Sequence, residues 1–300
     1  MKSFDQVLKD LDEKLSLYEG DQCVVSFNVL AECMNIGKFF EQVIPWCQRS
    51  SMLKRIFQLL VKHNCIVCLQ ELDQQTVDLL DMQNYTLIRG QGFRFGTGIY
   101  APRDLILEAG VVEGASMKIP GDAMADIAIV KEWGKRTAPL VYIKTRDFYV
   151  FTTHYPLCLA MPAIKVLYTA SIRSQISKIA GDQPHLLMVD ANTMPIEQTF
   201  KYLTEPGFIP TDKYLPWEDF PASLGEEYTI DDYRIITNHA KAPGRPAFKG
   251  TIDYALLNPA LVDQFTWSSV TAEILHRPQP SQIWPSDHTL IAVTLSKIQS

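Results

Sequence analysis

The sequence predicts an α/β domain built on mixed β-sheets. Three observations carry that reading: runs with helically spaced apolar residues alternate with short strand-like runs, several strand-like runs follow one another across a short turn, and no linker-like change of composition interrupts the chain. Three hundred residues are ample for a sizeable core, and residues 1–300 are read as one domain.

The elements follow in order. Phe4, Val7, Leu8, Leu11 and Leu15 recur at helical spacing, so residues 1–20 are expected to carry an amphipathic helix whose apolar face packs on its own domain. "QCVVSFNVL" reads as a strand. "SSMLKRIFQLLVKHN" reads as a helix, with Ser50 or Ser51 as its cap. "CIVCLQEL" is a buried strand with Glu71 at its end, and further strands are expected at "YTLIRG", "GTGIYAP" and "LILEAGVVE". "APLVYIKT" and "DFYVFTTHY" form a strand pair across the polar turn at Arg146-Asp147, and "PAIKVLYTASIRSQISKIA" is a helix ending near Gly181. Leu186–Val189 then reads as a buried strand that stops in Asp190-Ala191-Asn192. Residues i and i+2 of an extended strand point to the same side, so Asp190 and Asn192 are placed to face one point; a turn that they cap is the bland alternative. Residues 206–250, rich in Pro, Gly, Asp and aromatics, read as long loops, and two strands, "GTIDYALLN" and "HTLIAVTL", close the chain.

Composition excludes several classes. The net charge of -6 argues against indiscriminate DNA coating, which relies on a surplus of Lys and Arg. No stretch approaches a membrane span and the first residues lack an apolar signal core, so a cytoplasmic location and no membrane partner are the expectation. Among the six cysteines, Cys65 and Cys68 form a C-x-x-C, but within an apolar strand and without a second Cys/His pair. Buried thiols are the reading there.

Several strands end in polar groups: Asn28, Glu71, His154, Asp190 with Asn192, Asp253, and Asp287 with His288. Burying any of them unpaired costs on the order of several kcal/mol. Singly, each has an ordinary structural explanation, such as a loop bond for Asn28, a core histidine for His154 or a turn cap for Asp287. As a set of four carboxylates, two amides and two imidazoles, they point to one shared site. Oxygen ligands without thiolates suit Mg²⁺, with Mn²⁺ as the alternative. A phosphate ester is attacked by water when its charge is offset and the water deprotonated; metal, imidazolium and amide donors serve the first need, a positioned carboxylate the second.

In sequence order, "FNVLAE", "CLQELDQ", "GTGIYAP", "TTHY", "VDANTMP", "FKGTIDYALLN" and "WPSDHTLI" resemble the motifs of the endonuclease/exonuclease/phosphatase superfamily. Within it the chain is most similar to the branch of carbon catabolite repressor-type deadenylases, nocturnin and 2'-phosphodiesterases, over roughly residues 22 to 296. The resemblance implies a four-layer α-β-β-α sandwich, two mixed sheets face to face with helices outside. It also implies roles. Glu71 matches the principal Mg²⁺ ligand, with Asn28 nearby. Asp190 matches the carboxylate that orients or deprotonates the attacking water, and Asn192 its donor neighbour. Asp253 matches the residue that orients a catalytic histidine, here His288. Asp287 matches a carboxylate that binds a second metal or water, His154 a histidine on the scissile phosphate, and Phe248 an aromatic on which a base stacks, with a loop anchor as the alternative for that ring.

The chain departs from the family in places. Val189-Asp190-Ala191-Asn192 stands where the family has Gly-Asp-Phe-Asn, Leu159 stands where deadenylases carry a proline, and residues 206–250 do not match closely. The resemblance therefore implies a Mg²⁺-dependent phosphodiester hydrolase, a 3'-end ribonuclease acting on RNA or an adenine-containing oligonucleotide. Lys241, Arg245 and Lys249 are candidates to grip the phosphate chain, with ordinary solvated loop charges as the alternative. The alternative is a hydrolase for a small ester: a dinucleotide, a 2'-5' linked nucleotide or a phosphoinositide. An inactive binding module would have lost a matched catalytic position, and none is lost.

Overall fold

Apolar residues on successive positions of the strands require cover on both faces, and the computed structural model supplies it in four layers. It describes residues 3–36, 43–92, 95–113, 139–155, 162–194, 197–205, 208–210, 238–240, 248–250, 252–271 and 284–299. One six-stranded sheet has the order β13 (Phe265–Thr271), β14 (Ile291–Lys297), β1 (Gln22–Asn28), β2 (Ile66–Leu72), β4 (Gly96–Pro102), β3 (Tyr85–Gly90). The other has the order β5 (Glu108–Val112), β6 (Leu140–Lys144), β7 (Tyr149–His154), β8 (His185–Asp190), β12 (Asp253–Leu257), β9 (Ile209–Pro210). Two further short strands, β10 (Asn238–Ala240) and β11 (Phe248–Gly250), pair with each other.

Each large sheet contains one parallel pair: β1 with β2, joined through helix α2 (Trp46–Lys62), and β7 with β8, joined through a second helix, Pro162–Ala180. Parallel neighbours end at the same edge of their sheet. Asn28 and Glu71 therefore come out together in one sheet, and His154 and Asp190 in the other.

Alternation decides which side chains meet between the sheets. Val24, Ile66, Cys68, Val150, Leu186, Met188, Ala255 and Leu257 belong to the core between them. The opposite row of β1 and β2, with Val25, Phe27, Val67 and Leu69, packs under α2 and α1 (Phe4–Ser16), through Leu11, Leu53, Ile56 and Leu60. On the other sheet Phe151, Leu187, Val189, Tyr254 and Leu256 are covered by Tyr168, Ile172 and Ile176 of the second crossover helix. The sandwich expected from the resemblance is the observed architecture, and Cys65 and Cys68 are buried free thiols, as read. Among the described residues no helix is long and apolar enough to cross a membrane.

Three local expectations are corrected. Helix α2 begins at Trp46 behind Pro45, not at Ser50 or Ser51; Ser50 lies inside it and bonds back to the carbonyl of Cys47. The first turn was hidden because its inward position is Arg49, a cation on an otherwise apolar face. Strand β13 adds a third strand near the C-terminus, where polar Thr and Ser between Phe265, Trp267 and Val270 diluted the signal of an edge strand. Within 206–250, read as loops, the described residues form β9, β10 and β11.

Candidate active site

The inter-sheet rows of four strands continue past the apolar core into polar residues. Asn28 follows Val24 and Ser26; His154 follows Val150 and Thr152; Asp190 follows Leu186 and Met188; Asp253 leads into Ala255 and Leu257. Strand register then aligns them laterally, since Asp190 is the partner of both His154 and Asp253. The next polar layer down, in which Gln70 Nε2 donates to Ser26 Oγ at 3.1 Å and to Thr152 Oγ1 at 3.0 Å, ties the two sheets together just below.

Glu71 reaches the site differently. Strict alternation would put it with Val67 and Leu69 on the helix side. The pairing of β2 with β4 is irregular between Leu69 and Leu72, and Glu71 takes φ +53, a bulge that swings its side chain between the sheets. Of the four described non-glycine residues with positive φ, three lie at the site: Leu30, Glu71 and Asn192. Such backbone costs about 1–3 kcal/mol per residue and persists where its surroundings over-determine it.

Asn28 is the joint between the sheets. Its Nδ2 donates to Glu71 Oε1 at 3.1 Å and to Asp190 Oδ2 at 2.8 Å. Those two bonds use both amide protons, so the 3.4 Å approach of His288 Nε2 to the same nitrogen is a contact only. Its Oδ1 accepts from Leu30 N, and Ala31 N donates to Glu71 Oε2 at 3.3 Å.

His288 is held from its other nitrogen: Nδ1 lies 2.9 and 3.1 Å from the two oxygens of Asp253. Its backbone N donates to Ser286 Oγ, which donates in turn to Asn28 O, and its carbonyl accepts from Trp284 Nε1. Nε2 faces the site, 3.8 Å from Asp190 Oδ2 and 4.0 Å from Asp287 Oδ1.

Asn192 joins Asp190 as predicted, but not by the pleat. The chain turns left-handed at Asn192, with φ +46, and Asn192 N donates to Asp190 Oδ1 at 2.9 Å, so the turn-capping alternative also holds. The Asn192 amide donates to Tyr155 O and to His154 Nε2, each at 2.9 Å. An accepting Nε2 makes His154 the neutral Nδ1–H tautomer, in keeping with burial, which lowers its pKa.

Electrostatics follow from burial: Asn28 and Asp190 are 0% exposed, Asp253 2% and His288 5%. Burial, and next the charge of Asp253, push the Asp190 carboxyl up to about 7. Burial likewise raises Glu71. For His288 burial opposes the charge, but Asp253, Asp287 and Asp190 outweigh it and hold the imidazole well above the usual histidine range. Four carboxylates thus crowd one favoured imidazolium, a deficit of positive charge that a divalent cation would fill.

Asp190, Asp253 and His288 present ligand atoms within 4.8 Å of one another, close enough to hold an ion. Asp253 is, however, engaged by His288 Nδ1. Glu71, joined to Asp190 through the Asn28 amide, and Asp287, near His288, add oxygen donors of the kind that suit a hard cation.

Every predicted site residue with a described side chain is here: Asn28, Glu71, His154, Asp190, Asn192, Asp253, Asp287 and His288. Leu159, Lys241, Arg245 and the side chains of Phe248 and Lys249 lie outside the described residues; the backbone of Phe248 opens β11. Three neighbours were missed by the sequence reading. Phe95 stacks on His154 with ring centroids 5.6 Å apart. Arg49 and Lys165 approach from the two crossover helices and are 0% and 1% exposed. The only sequence signal for these two was a cation inside an apolar helical stripe.

No family model matches the chain, and a sequence search of curated proteins finds no match. Solved structures do match. The human nocturnin catalytic domain with bound sulfate aligns with TM-score 0.60 and 15% identity over 93% of this chain and 95% of that one. ANGEL2, described as a 2',3'-cyclic phosphatase and solved with adenosine-2',3'-vanadate, aligns with TM-score 0.63 and 15% identity over 92% and 95%. An endonuclease/exonuclease/phosphatase from Bacteroides vulgatus aligns with TM-score 0.60 and 14% identity over 93% and 99%. What this chain shares with them is the fold.

Proposed function

We propose that this chain, which has the fold of the endonuclease/exonuclease/phosphatase superfamily, is a divalent-metal-dependent phosphoric ester hydrolase. Its substrate is the 3' end of RNA or an adenine-containing oligonucleotide. The observation that carries the reading is the Asn28 amide bridging Glu71 of one sheet to Asp190 of the other, with His288 beside it on Asp253.

Glu71 holds the cation, Mg²⁺ or Mn²⁺, with Asp287 and Asn28 alongside. When bound, it supplies charge neutralisation to the phosphoryl oxygens. Asp190, held between the Asn28 amide and Asn192 N and 3.8 Å from His288 Nε2, is placed to take a proton from an attacking water. His288, kept charged by its carboxylate neighbours, directs Nε2 at the oxygen on which charge develops, and Asp253 fixes its orientation. Asn192 and His154 line the phosphate side, and Phe248 is the candidate platform for a base.

The test is turnover of labelled poly(A), a 2'-5' oligoadenylate and NADP(H), each with Mg²⁺ and with EDTA. Mg²⁺-dependent shortening of poly(A) from its 3' end is the expected result; metal-dependent turnover of nothing in a broad phosphate-ester panel argues for a binding module. A second reading, hydrolysis of a small phosphate ester, draws on the net charge of -6, which gives little long-range attraction for a polyanion, and on the likeness to ANGEL2 with its adenosine-2',3'-vanadate. Turnover of the dinucleotide or the 2'-5' linkage alone would favour it.

A further inference from the structure

Two residues near the site have no place in the chemistry above. Both are buried cations on crossover helices, and both are spent on backbone carbonyls of a site loop that contains a left-handed residue. From α2, Arg49 Nη2 donates to the carbonyls of Val29 and Leu30, and Nη1 lies 3.2 Å from Glu32 Oε2. This is the loop in which Leu30 has φ +56 and Ala31 N donates to Glu71. From the helix Pro162–Ala180, Lys165 Nζ donates to the carbonyl of Asn192 and lies 3.5 Å from Glu197 Oε2. Glu197 extends the hold, accepting from Met194 N at 2.8 Å and Thr193 Oγ1 at 3.1 Å.

Burying a cation is costly, the more so for Arg49, whose Nε and Nη1 make no hydrogen bond, and a hydrophobic residue of similar volume would generally serve packing as well or better. What neither could be replaced in is the fixing of a carbonyl in a left-handed turn. We infer that Arg49 and Lys165, each braced by its carboxylate, are positioning residues that act on different halves of the site. Arg49 with Glu32 sets the loop that orients Glu71, and thereby the affinity for the cation. Lys165 with Glu197 sets the turn that orients Asn192 against Asp190 and His154, and thereby turnover.

This inference rests on the hydrolase reading, and the two are separable by experiment. Mn²⁺ affinity is measured by calorimetry, and kcat and KM on a phosphodiester, for the full chain and for Arg49→Met and Lys165→Met. Glu32→Gln and Glu197→Gln, which remove partly exposed partners, are milder versions should the buried substitutions fail to fold. Thermal denaturation gives a temperature at which each variant remains folded. Arg49→Met is expected to weaken Mn²⁺ binding roughly 10- to 100-fold, the range for residues that orient metal ligands. Lys165→Met is expected to lower kcat by roughly 10- to 100-fold, as misplaced catalytic groups do, while Mn²⁺ affinity stays within about twofold. Glu32→Gln and Glu197→Gln are expected to follow the same split at smaller size. If folded variants lose only thermal stability, or if both cations affect metal affinity alike, the division of labour is overturned. If the unaltered chain neither binds Mn²⁺ nor hydrolyses a phosphate ester, the hydrolase reading falls and takes this one with it.

Discussion

Replacing Asp253 by Asn tests the pair that orients the candidate general electrophile. Both oxygens of Asp253 lie within 3.1 Å of His288 Nδ1, and both residues are nearly sealed from water. Asn keeps the shape and one acceptor but removes the charge, so His288 loses the first of the neighbours that hold its proton. A hydrogen bond to a charged group contributes about 1.5–3 kcal/mol net. Since every 1.36 kcal/mol is a tenfold change in rate, a loss of about 2–3 kcal/mol lowers kcat roughly 30- to 160-fold. The assay is initial-rate hydrolysis of a labelled oligoadenylate at saturating Mg²⁺, with Mn²⁺ calorimetry on the same preparations. Metal affinity is expected to hold or fall only slightly, because Asp253 faces His288 and not Glu71. A kcat within threefold of the unaltered chain would refute the argument that the imidazolium needs its carboxylate. A collapse of metal affinity instead would mean that Asp253 is a ligand, the arrangement that its spacing to Asp190 and His288 also permits.

Further outcomes follow from the same geometry. Glu71→Gln should weaken Mn²⁺ binding by at least roughly tenfold and reduce activity with it, because the amide lacks the charge a hard cation requires; unaltered calorimetric affinity would contradict the role given to Glu71. His288→Ala should lower turnover by roughly 10²-fold or more, the scale of a positioned acid-base or electrostatic group, as read from single-turnover rates. Phe248→Ala should raise KM by a factor matching about 1–3 kcal/mol of lost stacking if a base lies on the ring, and leave KM unmoved if the ring anchors a loop.

The strand-end residues were legible because alternation is a local rule. Val24, Ser26 and Asn28 face one way whatever the strand packs against, and the same holds for Leu186, Met188 and Asp190. The resemblance of the motifs supplied the sandwich. It could not say how Glu71, on the wrong parity of its strand, turns inward; that needs the irregular pairing with β4 and a left-handed residue, which arise only once β4 lies alongside. Asn192 was assigned to the right place for an incomplete reason, since its side chain is delivered by a turn instead of the pleat.

By itself, then, the sequence determined which side chains leave the core and that they are oxygen and imidazole donors, because periodicity and side-chain chemistry reside in short stretches. Only the tertiary structure decided that Asn28 should span two sheets, a bond between residues 162 positions apart, and that Arg49 and Lys165 belong to the site. A cation in an apolar stripe has no partner in its own segment. The carbonyls and carboxylates that make its burial tolerable come from distant parts of the chain, and long-range pairing is what a local pattern does not carry.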